Sequence, residues 1–92
     1  MRLKKQEIVI IKDTVSKIFN DVNIYLFGSR LDDSKKGGDI DLFIISNDEN
    51  LFEKKIKTVA KLTRALHKPV DVLLHKNFNR EIEQEALKGI KI

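Results

Sequence analysis

Cysteine is absent from the 92 residues, so neither a disulfide nor a thiolate metal site is open to this chain. The absence fits a reducing compartment. No apolar run approaches the roughly 20 residues of a membrane span. The basic start, Met1 to Gln6, is not followed by the unbroken apolar stretch of a signal peptide. A cytoplasmic location without membrane attachment is therefore expected. Proline occurs once, at Pro69, where it bars a helix from continuing. Length is scarce too. A chain this short buries roughly 60–65% of its unfolded surface, enough for one thin core. Residues 1–92 are expected to form a single domain, with nothing left for a separate substrate-recognition domain.

Charge is plentiful: 35% of residues are charged, the formal net charge is +4 and the sequence pI is about 9.4. A basic balance favours anionic partners such as nucleotide phosphates, nucleic acid or an acidic protein. Lysines on solvated helix faces account for most of it, so nucleic acid is not expected as a partner on charge alone.

Periodicity orders the chain as α-β-loop-β-α-β-α. From Leu3 to Asn20, the residues Ile8, Ile11, Val15, Ile18 and Phe19 fall three or four apart and predict an amphipathic helix, ended by Asn20 and Asp21. Val22 to Phe27 is β-branched and aromatic and predicts a strand. The polar stretch from Arg30 to Gly38 reads as a loop. Asp39 to Ser46 predicts a second strand whose run Leu42-Phe43-Ile44-Ile45 suits cover on both faces. Ser46-Asn47-Asp48 supplies helix-start chemistry. A helix is expected over about Glu49 to His67, with Phe52, Ile56, Val59 and Thr63 or Leu66 on its inner stripe. Val70 to Leu74 is a third strand, and Phe78 to Lys88 a last helix with Phe78, Ile82 and Ala86 in line, closed by Gly89. Phe27 and Phe43 are expected in the core, and His67 and His75 on the surface.

Asp39 and Asp41 stand at i and i+2 of the second strand, on one face and about 6.5–7 Å apart. Two carboxylates opening so apolar a strand need a cause. Asp71 repeats the pattern near the start of the third strand. A long helix joins these two strands, which makes them a parallel pair with their starts at the same end. The loop after the first strand makes the first and second antiparallel, so Gly28-Ser29 reaches that same rim. A lone Asp at a strand end is usually a solvated turn residue; convergence of four features from separate places is not. Two unit charges about 4 Å apart repel by about 4 kcal/mol at an effective dielectric near 20. Hard divalent cations remove that cost, and carboxylate oxygens select Mg²⁺ or Mn²⁺. A pair of such ions can clamp the attacking and leaving oxygens of a phosphoryl displacement. Gly28 would let backbone approach a phosphate, with Ser29 adding a hydroxyl and Arg30 a cation.

Gly28-Ser29-Arg30, Gly38-Asp39-Ile40-Asp41-Leu42-Phe43 and Pro69-Val70-Asp71-Val72 together resemble the signature of the DNA polymerase beta-type nucleotidyltransferase superfamily, and the small size resembles its minimal nucleotidyltransferase (MNT) branch. The resemblance implies an α/β (α+β) fold with a mixed three-to-four-stranded sheet flanked by helices. It implies two Mg²⁺ ions and a nucleoside triphosphate, ATP, as donor. Asp39 and Asp41 would bind both metals, Asp71 would help activate the acceptor hydroxyl, and Ser29 would contact the donor phosphates. Minimal members commonly act as antitoxins that transfer AMP to a tyrosine of a HEPN-type toxin partner. Many carry a second Arg and a Gly where this chain has Leu31-Asp32-Asp33. The competing expectations are an antitoxin that works by binding alone and the catalytic subunit of a small-molecule nucleotidyltransferase.

Overall fold

The computed structural model describes residues 3–28 and 40–92. Among these, the order is α1 (Lys5–Ile18), β1 (Val22–Phe27), β2 (Ile40–Ser46), α2 (Leu51–Leu66), β3 (Val70–Leu74), α3 (Glu81–Leu87) and β4 (Ile90–Lys91). The four strands form one mixed sheet in the order β3-β2-β1-β4. β1 runs antiparallel to β2 and to β4. β2 and β3 are parallel, as the α2 crossover requires.

Strand alternation divides the sheet into two faces. Ile24 and Leu26 of β1, Ile40, Leu42 and Ile44 of β2, and Val70 and Val72 of β3 are buried against α1 and α2. From α1 this core receives Ile11 and Val15, with Phe19 just beyond its end, as the spacing predicts. α3 packs on the opposite face, against β1 and β2. There Phe43 is fully buried, with Tyr25 at 6.1 Å and His75 at 6.4 Å between ring centroids. Phe27, expected in the core, is only half-buried at the end of β1.

Side chains tie the ends of the helices together. The backbone N–H of Lys4 donates to Glu7 Oε1 at 3.0 Å, one arm of a capping box, and Lys68 Nζ donates to Glu7 Oε2 at 2.6 Å. Ser46-Asn47-Asp48 does not cap α2 as expected. Asn50 takes the N-cap position in the left-handed region, with φ 57° and no side-chain cap bond. Asp48 instead accepts the backbone N–H groups of Asn20 and Asp21 and the ammonium of Lys54. Those bonds, the Asn20 N–H foremost, hold its carboxyl below the usual carboxylate range. The reason is geometric: the α1–β1 turn ends beside the α2 start and leaves its own N–H groups without helix partners.

Leu66 and Ala86 are buried and Val59 packs against the core as expected, but both later helices differ from expectation in the rest of what they bury. On α2 the buried positions are Thr58, Leu62 and Leu66, while Phe52 is 68% exposed and Ile56 54%. The helix carries two apolar stripes, and the sheet takes the one that begins at Leu51. α3 starts three residues later than Phe78, because Asn77 Oδ1 accepts the N–H of Asn79 and its carbonyl accepts that of Arg80, forming a turn first. Its buried residues are Glu83 and Ala86; Phe78 and Ile82 are each about half exposed.

The short β4, not foreseen from sequence, follows Gly89. An added Cβ there would run into the backbone carbonyl of Leu26. No helix of the described residues is long and apolar enough to cross a membrane.

Candidate active site

The in-register pairing of β2 and β3 sets Asp41 directly beside Asp71. Neighbouring strands lie about 4.7–4.9 Å apart, and paired residues of parallel strands present their side chains to the same face. The face is the one opposite the α1/α2 core. Pairing is kept to the very start of the two strands, where the Ile40 N–H donates to the Pro69 carbonyl at 3.0 Å. Asp41 is half-buried and Asp71 exposed.

β1 contributes from the other side. Phe27, its last residue, pairs with Asp41, and Gly28 follows with φ +86°. A Cβ on Gly28 would overlap the Asp41 carboxylate. Glycine here therefore answers two demands, a left-handed backbone and close approach to a carboxylate. Three of the predicted residues, Gly28, Asp41 and Asp71, thus stand together at one end of the sheet. Ser29, Arg30 and Asp39 lie outside the described residues.

A cleft of about 330 Å³ opens over the pair, lined by Phe27, Asp41, Asp71, Val72, Leu73 and Ile82. Among the described residues no group of three His, Cys, Asp or Glu side chains is gathered closely enough to hold a metal ion; Asp39 is not among them. Mg²⁺ commonly takes one or two carboxylates and completes its shell with substrate phosphates and water. The hard, paired oxygens of Asp41 and Asp71 fit an ion of that kind, arriving with a nucleotide.

Ile82 reaches the cleft because α3 is anchored by a residue that sequence reasoning passed over. Glu83 is fully buried. Its Oε2 accepts the backbone N–H groups of Lys76 and Asn77, both at 2.9 Å, and the Arg80 guanidinium at 3.0 Å. Its Oε1 lies 2.6 Å from His75 Nδ1. Burial alone would raise the Glu83 pKa, but the bonds from His75, Asn77 and Lys76 outweigh it and hold the carboxyl at about 2. His75, expected on the surface, is half-buried by this bond and by stacking on Phe78 at 3.9 Å. The sequence signal was Arg80-x-x-Glu83, the spacing of an acidic residue that turns back on its own helix start.

Gly28→Ala is expected to cost about 1–2 kcal/mol of stability from the left-handed backbone. It should cost activity more heavily, because the methyl displaces the Asp41 carboxylate. Urea unfolding and a transfer assay on the same preparation measure the two losses separately.

A family model described as Polymerase beta, Nucleotidyltransferase matches residues 7–92, nearly the whole chain. A search of curated proteins finds no match.

Proposed function

The chain belongs to the polymerase beta nucleotidyltransferase family, and on that premise we propose that it transfers AMP from ATP to the hydroxyl of a partner protein, a tyrosine of a HEPN-type toxin, and so acts as an antitoxin. The observation that carries the chemistry is the in-register Asp41–Asp71 pair beside Gly28. Asp41 and Asp71, with Asp39 two residues before Asp41 in the sequence, would hold Mg²⁺. Such an ion would supply neutralisation of the triphosphate charge and polarisation of the phosphoryl oxygens.

The chain's own groups do the rest. Gly28 brings backbone close to the donor phosphates, where Ser29 and Arg30 add a hydroxyl and a cation. Asp71, the more exposed carboxylate of the pair, accepts the acceptor's hydroxyl proton. The freed oxygen bonds to the α-phosphorus, the bond from that phosphorus to the α–β bridging oxygen breaks, and pyrophosphate leaves with the electron pair. Attack needs the reacting atoms about 3–3.5 Å apart and in line. The cleft over the pair is small, so the acceptor must bring part of the enclosing surface itself.

Co-expression of the chain with the protein encoded beside it, followed by intact mass measurement of both, tests this. The expected result is one AMP adduct on the neighbour, lost on Tyr→Phe substitution at the modified position. No adduct on the neighbour, with efficient adenylylation of a small molecule by the isolated chain, would replace the antitoxin with a small-molecule enzyme.

A further inference from the structure

The stripe Phe52, Lys55, Ile56 and Val59 has the spacing of a helix face made for packing, yet only Val59 packs against the core, and Phe52 and Ile56 are left exposed. It forms one wall of a groove of about 540 Å³, whose other wall is Asp71 and Val72 of β3. β3 is an edge strand among the described residues, so nothing of the sheet lies beyond it. A second recess of about 220 Å³, bounded by Phe52, Lys55, Leu73, Leu74, Lys76 and Arg80, shares Phe52 and Lys55 with the groove. Together the two line β3 from Asp71, at the candidate active site, to a cationic end at Lys76 and Arg80.

The chemistry changes along this line. At the Asp71 end the groove adjoins the carboxylate pair. The middle is apolar, with Phe52 68% and Ile56 54% exposed. The far end presents Lys55 and Lys76, with Arg80 held by Glu83 at 3.0 Å. An exposed aromatic and aliphatic pair at the centre with charge at the rim is the layout of a protein-binding hot spot. The rim charge selects an acidic partner, and the net charge of +4 reinforces that choice at long range.

We propose that this groove docks a segment of the acceptor protein that places an apolar anchor on Phe52 and Ile56 and acidic side chains at Lys55 and Lys76, delivering its hydroxyl to Asp71. Identifying the docked protein with the acceptor rests on the function proposed above. The groove as a site for an acidic, apolar-anchored segment stands on its own geometry.

The probes are a short tyrosine-bearing peptide with leucine anchors and a glutamate flank, the same peptide with a lysine flank, and a mixed-sequence single-stranded oligoribonucleotide. Binding is read by fluorescence anisotropy at low and high salt. The glutamate peptide should bind best, and less tightly as salt rises. Phe52→Glu with Ile56→Glu should weaken it roughly tenfold or more. Lys55→Glu with Lys76→Glu should shift preference to the lysine peptide. None of the four positions lines the cleft over the Asp41–Asp71 pair, so stabilisation by Mg²⁺-ATP should persist in both variants; its absence from the unaltered chain as well would count against the nucleotide site, not the groove. Equal binding of the two peptides, no binding of either, tighter binding of the oligoribonucleotide, or a dimer of the chain abolished by Phe52→Glu would each overturn the proposal.

Discussion

Asp41→Asn and Asp71→Asn are each expected to reduce nucleotidyl transfer by at least about 10²-fold, while leaving the fold intact. On the proposed mechanism an ion held by these carboxylates would supply several kcal/mol of charge stabilisation in the transition state, and every ~1.4 kcal/mol is tenfold in rate. The amide keeps the size of the carboxylate and removes its charge. Asp41 and Asp71 sit side by side on neighbouring strands, so neutralising one relieves repulsion between like charges. The melting temperature of each variant should therefore stay level or rise by a few degrees. Asp39→Asn combined with Asp41→Asn should behave the same way. Single-turnover transfer rates and thermal melts on the same samples check both halves. Unfolding of the variants would make the aspartates structural, and full activity would move the chemistry elsewhere.

Glu83→Ala should produce the opposite pattern, a large loss of stability. It strips the acceptor from the backbone N–H groups of Lys76 and Asn77 and from the Arg80 guanidinium at one stroke. Breaking a buried charged network by removing one partner costs about 3–5 kcal/mol, against a total of roughly 5–15 kcal/mol for a domain. In a chain of this size about 3 kcal/mol corresponds to a fall in melting temperature of roughly 10–25 °C. Glu83→Gln keeps one carbonyl acceptor for the turn and should fall between the variant and the native chain.

The same residue predicts an acid response. Its folded pKa, about 2, lies below the ordinary 4.5, so the folded state binds fewer protons than the unfolded state between those values. The stabilisation is complete above about pH 4.5 and is lost as pH falls towards 2. Denaturant midpoints measured across that window should decline in the native chain and stay flatter in Glu83→Gln. Equal slopes would remove Glu83 from the acid response.

The placement of Asp41, Asp71 and Gly28 was readable without a structure, because these residues break local rules. Asp41 and Asp71 interrupt strands that are otherwise apolar, and strand periodicity together with the parallel crossover suffices to set them on one face at one end. Gly28 was legible for the same reason, standing at the close of a strand where backbone needs freedom. β1 and β3 were read with the observed bounds, since alternation and β-branching are local properties of the chain.

Choices between competing local solutions were settled only by the tertiary structure. α2 offers two apolar stripes with equal helical spacing. Which one enters the core depends on where β2 and β3 stand, and the sheet took Thr58, Leu62 and Leu66 while leaving Phe52 and Ile56 outside. Glu83 shows in sequence only its spacing from Arg80; its burial appears once the β3–α3 turn folds over it and aims two N–H groups at its carboxylate. β4 is two residues long, too short to carry a period, and exists because β1 has an open edge for it to pair with. Periodicity records which residues can share a face. Which face meets which depends on contacts between segments far apart in sequence, and those form only in the folded chain.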